Sequence, residues 1–285
     1  MKIPKPDIKV AEIFDACLSN MRTASQLLLR PCLPEIISST EEYEHCMENG
    51  TYENVTLSDS INGVSKSELE KLYTTKLSKT KQPARKYYDK IISTAPMGLC
   101  PYCHQQIVST LDHYYPKAHY ISLVISPTNL VPSCASCNKY KSDAIIQKKE
   151  DAILNPYYED SDSLIWLSAT LVKDLTSDFL TMTYFVSPPD NCDPILRTRL
   201  EKHFVLLHLK DLYSKHAAEE LIAVFNRHLR IYKVAGTEGV KESILESLED
   251  NKYRPNSWQS AMYRALNDEW YLNEWLPQKC KECAV

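Results

Sequence analysis

The sequence predicts an α+β protein, mainly helical, with a compact metal-binding module in its middle and helical regions on both sides. Three observations carry this. Apolar residues recur at helical spacing through the first ninety or so residues. From Gly98 to Lys149 the rhythm breaks into turn residues, short β-rich runs and two cysteine knuckles. From about Pro194 the helical rhythm returns. The expected boundaries are 1–95 for an N-terminal helical region, 96–150 for the module, and 151–285 for a C-terminal region in which a short β-hairpin precedes helices.

Taken in order, Val10, Ile13, Phe14, Cys17, Leu18 and Met21 predict one buried helix face over Ile8 to Met21. A second helix is expected over Glu41 to Glu48. A third starts at Ser65, where Ser65-x-x-Glu68 has the form of a capping box, and Pro83 opens a fourth through Ile92. Between Lys66 and Lys90 eight Lys/Arg face three Asp/Glu, a basic stretch that is either a solvated helix face or a phosphate-facing surface. In the module, Ile107 to Leu111 and Asn129 to Val131 read as extended. Leu164 to Val172 and Thr181 to Val186 read as a hairpin. The chain should close with a helix from Ser257 to Trp275, carrying Trp258, Met262, Leu266, Trp270 and Trp275 on one side.

Bulk properties narrow the function. With 285 residues, 44% hydrophobic and 25% charged, the composition is that of a globular protein. The net charge of −4 means that any nucleic-acid site must be a local basic patch on a mildly acidic body. The N-terminus has no apolar leader core and no stretch is long enough to cross a bilayer, so a cytoplasmic protein is expected. The five glycines form neither GxGxxG nor GxxxxGK[ST], so a partner would have to supply any nucleotide energy.

Cys100-Pro-Tyr-Cys103 and Cys134-Ala-Ser-Cys137 are two CxxC knuckles with 30 residues between them, a Cys₄ set suited to tetrahedral Zn²⁺. Four thiolates leave no open coordination position, so this zinc is expected to be structural. Cys280 and Cys283 form a third CxxC, but one pair cannot close a tetrahedral site. If Pro132 or Ser133 starts a helix, Cys134, Cys137, Asn138 and Lys141 fall along one stripe. The stretch from Gly98 to Lys149 holds five lysines against two aspartates. Lys117, Lys139 and Lys141 are therefore candidates to hold phosphates.

Between and beyond the knuckles run Asp112-His113-Tyr114-Tyr115-Pro116-Lys117, Asn129-Leu130-Val131-Pro132 and Asn138-Lys139-Tyr140-Lys141. This order resembles the HNH, or ββα-metal, endonucleases. The cysteine-framed form is most similar to the HNH subunits of Septu-type and retron-associated phage-defence systems, which work beside an ABC/SMC-like ATPase. The resemblance implies that His113 is the general base, Asp112 and Asn138 ligate a catalytic Mg²⁺ or Mn²⁺, and Asn129 braces the loop carrying the histidine. The chemistry agrees: a neutral imidazole can take a proton from water, and a carboxylate with an amide oxygen makes a sparse site for a hard cation. DNA is the expected substrate. RNA cleavage, or a non-catalytic zinc module that binds nucleic acid or a partner, are the alternatives.

Overall fold

The computed structural model describes residues 2–173, 180–252 and 254–282. It is a mainly helical α+β chain that divides into two compact units, Met1–Asp160 and Ser161–Val285. Cys283 lies outside the described residues.

In the first unit, α1 (Val10–Leu18), α2 (Thr23–Leu29) and α3 (Leu33–Glu48) precede a two-residue hairpin of β1 (Ser60–Ile61) and β2 (Val64–Ser65). Then come α4 (Lys66–Lys71), a π-helical turn over Leu72–Leu77, and α5 (Arg85–Ile92). The expected helix at Glu41 starts a full turn and more earlier, because Pro34 falls in the first turn, where a missing N–H costs nothing. Ser65 does cap α4 by position, but its side chain bonds Ser67 at 3.0 Å and makes no cap hydrogen bond, so the expected capping box does not form.

The module follows. β3 (Thr110–His113) pairs antiparallel with β4 (Leu130–Ser133), opposing Asp112 to Val131 and His113 to Leu130, and α6 (Ala135–Lys141) leaves directly from β4. The first strand begins later than its apolar run suggests. Ile107 is 76% exposed and makes only an isolated bridge with Leu99. One hydrophobic core joins the module to the helices before it: Phe14, Ile36, Leu69, Leu72 and Ile91 pack with Leu111, Val124, Ile125 and Leu130.

The loop region of the module is braced by tyrosine hydroxyls donating to main-chain carbonyls that no strand satisfies. Tyr43 bonds Thr128 O at 2.9 Å, Tyr115 bonds Tyr52 O at 2.5 Å, Tyr114 bonds Ile153 O at 2.5 Å, and Tyr157 bonds Leu130 O at 2.9 Å. A buried carbonyl without a donor is costly, so these rings serve as packing and as hydrogen-bond supply together.

The second unit opens with the expected hairpin, β5 (Leu167–Lys173) against β6 (Leu180–Val186). Leu167, Met182 and Tyr184 are buried on one face while Thr181 and Phe185 alternate outward. After α7 (Pro194–Leu206), α8 (Leu209–Asp250) is broken at Gly236, whose φ of +64° suits a residue without a Cβ. The expected single helix from Ser257 to Trp275 is instead α9 (Trp258–Leu266) and a separate π-helical turn, Tyr271–Trp275, leading into α10 (Leu276–Glu282). The break leaves Trp270 36% exposed, off the buried side.

Tyr43 anchors two buried partners, since Asn155 Nδ2 also donates to its hydroxyl at 3.2 Å. Tyr43→Phe should destabilise the protein by about 1–3 kcal/mol, the cost of stranding buried polar groups. Denaturant unfolding checks this; an unchanged midpoint would contradict it.

Candidate functional site

The module is framed by its cysteines. All four are buried, and their sulfurs lie within 4.8 Å of one another. Tetrahedral zinc with Zn–S bonds of about 2.3 Å sets neighbouring sulfurs roughly 3.8 Å apart, and Cys103 Sγ and Cys134 Sγ stand at 4.0 Å. Two amides donate to sulfur as they do to thiolates, Gln106 N to Cys103 and Cys137 N to Cys134, each at 3.4 Å. Hydrogen bonds from neighbouring thiols pull the Cys103 and Cys134 pKa values down, while Cys100 and Cys137, as the donors of such bonds, are held up. A divalent cation would let all four ionise. The donor set and its spacing fit Zn²⁺.

Cys134 is also the N-cap residue of α6, so the four-cysteine set fixes where that helix starts. The helix then crosses β3. Asn138 Nδ2 reaches Thr110 Oγ1 at 3.4 Å, and one turn on, Lys141 Nζ lies 3.2 Å from Asp112 Oδ2 and 2.7 Å from the His113 carbonyl oxygen.

His113 ends β3 and is buried, with Tyr73 edge-on to its ring at 4.5 Å between centroids. Its Nε2 is 2.9 Å from Val124 O. A carbonyl only accepts, so Nε2 carries the proton and Nδ1 keeps the lone pair. Burial lowers its pKa to about 3, with the Lys117 and Lys141 charges adding to that against the Val124 bond, so the ring is neutral at pH 7. Asn129, fully buried, holds the intervening loop: its Oδ1 accepts from Tyr115 N at 2.8 Å, and its Nδ2 donates to Tyr115 O at 3.1 Å and Leu123 O at 3.3 Å.

Asp112 and His113, as successive strand residues, project to different surroundings. The Asp112 carboxylate, 3% exposed, meets Lys141 and accepts a hydrogen bond from Tyr102 at 2.9 Å. Its pKa is raised by burial, against the opposing pull of Lys141 and Tyr102. Lys141 is itself 6% exposed, so the ammonium expected to face phosphate turns inward. Asn138 lies on Thr110, two residues back along the strand. In this arrangement Asp112 and Asn138 do not present an open pair of oxygens to a divalent cation. Lys117 is half-buried, 3.6 Å from Glu70, and Lys139 is exposed.

Three partners of the site were not singled out from the sequence: Tyr102, Tyr73 and the Val124 carbonyl. Tyr102 had a signal in lying between two knuckle cysteines. The other two are products of tertiary packing.

Residues 100–144 match the HNH endonuclease family. That span contains both knuckles, both strands and α6, and it is the HNH domain of this chain. Over nearly its full length the chain is similar to "Protein ea31" of Escherichia phage lambda, 26% identical over 293 residues, which cover 93% of this chain and 96% of that protein. No solved structure matches. Among the described residues no helix is long and apolar enough to cross a membrane. A cavity of about 670 Å³ bordered by Glu35, Glu42, Asp59 and His119 has no Lys or Arg in its lining, and its charge does not suit phosphate.

Elemental analysis of the purified protein should find zinc bound by the four cysteines. Cys134→Ser should lose that zinc and unfold the domain, since such sites contribute folding energy directly. Full zinc content and unchanged unfolding in the variant would contradict the assignment.

Proposed function

We propose that this protein is a metal-dependent endonuclease that hydrolyses DNA at the HNH domain, with His113 as general base. The observation that carries the reading is the Nε2–H···O bond from His113 to Val124, which leaves Nδ1 as the free base of a neutral ring inside the HNH domain. A base within reach of a water at the scissile phosphate is worth about 10²–10⁴-fold in rate. Asn129 acts as the positioning residue, because it fixes the loop that supplies the Val124 carbonyl.

Asp112 and Asn138 are the proposed ligands of a catalytic Mg²⁺ or Mn²⁺. Such an ion, when bound, supplies a Lewis acid for the phosphoryl and leaving oxygens. Lys117 and Lys139 are proposed to hold flanking phosphates. The exposed Lys86 of α5 would extend that contact, since α5 packs against β3 and β4. DNA, cut to 5′-phosphate and 3′-hydroxyl ends, follows from the family resemblance; RNA is the outcome the assay must exclude.

We further infer that the enzyme works as the effector subunit of an anti-phage defence complex, controlled by a separate ABC/SMC-like ATPase. The motif resemblance to the Septu-type subunits supports this, as does the lack of a phosphate-binding glycine loop. The similarity to a phage protein extends through both helical flanks, which supports the flanks and the HNH domain working together.

The test incubates purified protein with plasmid and with total RNA, in Mg²⁺, Mn²⁺ or EDTA. Plasmid should be nicked or linearised with the metals and left intact in EDTA. His113→Ala should be slower by at least about 10²-fold. Cutting by His113→Ala at the parental rate would overturn the reading, and cutting confined to RNA would overturn the choice of substrate.

A further inference from the structure

The cation that Asp112 meets in this structure belongs to the protein. Lys141 Nζ lies 3.3 Å from Oδ1 and 3.2 Å from Oδ2 of the carboxylate, and Tyr102 donates to Oδ2 at 2.9 Å. The ammonium also donates to the His113 carbonyl at 2.7 Å. With side-chain exposures of 7% and 3%, the two charges neutralise each other almost out of water.

A divalent ion added beside this pair would leave two uncompensated positive charges in a buried place, which proteins avoid. Among the described residues Asp112 belongs to no group of three or more His, Cys, Asp or Glu side chains placed to hold a metal, so no such cluster relieves this. Charge balance therefore requires both that the ammonium leave and that an anion arrive. The scissile phosphodiester supplies that anion, and a neighbouring phosphate of the same strand gives the ammonium a new partner.

The backbone next to Lys141 is strained. Ser142, which follows it and caps α6, has φ +55° and ψ −143°, a conformation that residues with a Cβ rarely adopt. Ser142 is exposed, so this strain sits at the surface end of α6.

We propose that Lys141 is a resident counter-cation at Asp112 that the catalytic metal replaces only when nucleic-acid phosphate draws the ammonium away. Metal and substrate then bind with positive coupling, each tightening the other. This rests on the nuclease reading, in which Asp112 is a metal ligand.

The test measures Mn²⁺ binding to the full-length, zinc-loaded protein from the EPR signal of free Mn²⁺, with and without a phosphorothioate DNA duplex. The duplex should tighten Mn²⁺ binding by about tenfold or more, within the usual range of coupling between sites. Lys141→Gln keeps an N–H donor but no charge; it should bind Mn²⁺ about tenfold more tightly without DNA and lose most of the DNA effect. Lys141→Arg, which keeps the charge, should remain weak without DNA. Absence of DNA-induced tightening in the unmodified protein overturns the exchange, whatever the variants do. So does a folded, zinc-loaded Lys141→Gln that binds Mn²⁺ no more tightly. Asp112→Asn separates the two ideas: Mn²⁺ binding that survives it removes Asp112 as a ligand and overturns the reading beneath the exchange, whereas binding that it abolishes and Lys141→Gln leaves unchanged overturns the exchange alone.

Discussion

Asn129 is the constraint on which the site depends. The two strands of the module are joined by sixteen intervening residues, far more than a tight hairpin uses, so backbone pairing alone cannot hold the loop. One buried amide joins Tyr115 to Leu123, beside the backbone bridge of Tyr120 to Ser58, and that closure places the Val124 carbonyl at Nε2 of His113. The neutral tautomer of the histidine is thus set by an amide sixteen residues away. Tyr43 and Tyr157 donate to the Thr128 and Leu130 carbonyls where the loop ends, and Tyr115 within it donates to Tyr52 O, so these buried acceptors are not stranded.

The cysteine cluster and the loop closure perform different tasks. The four cysteines fix the start of α6 and its crossing of β3, which decides what Asp112 meets. Asn129 decides what His113 meets. The two catalytic candidates are neighbours in sequence but answer to separate supports, as expected for successive residues of a strand buried on both faces. A base can therefore be held ready while the carboxylate beside it is engaged by Lys141, and readiness of the base need not mean an active nuclease.

Much of the frame was legible in the sequence because its signals are local. Matched knuckles need only spacing, and the α6 stripe needs only helical period, so Cys137, Asn138 and Lys141 share α6, although the helix starts at Ala135 with Cys134 as its cap and not at Pro132 or Ser133, which belong to β4. The hairpin of the second unit was equally plain from its alternation. What the sequence hid was direction and partner. Lys141 sits on the predicted stripe, but whether its ammonium reaches phosphate or a buried carboxylate depends on how closely α6 packs on β3. Ser65 has the right neighbour for a capping box and bonds Ser67 instead. Trp270 fits the helical period of its surroundings, yet the helix ends at Leu266 and the ring is released to the surface.

The central claim, that the fold presents His113 as a neutral base with a free Nδ1, is tested most directly by nitrogen NMR of the imidazoles in the zinc-loaded protein, with His113→Ala used to assign the ring. The account predicts one neutral tautomer at pH 7, protonated at Nε2. A ring protonated at Nδ1, or a mixture of tautomers, would contradict it.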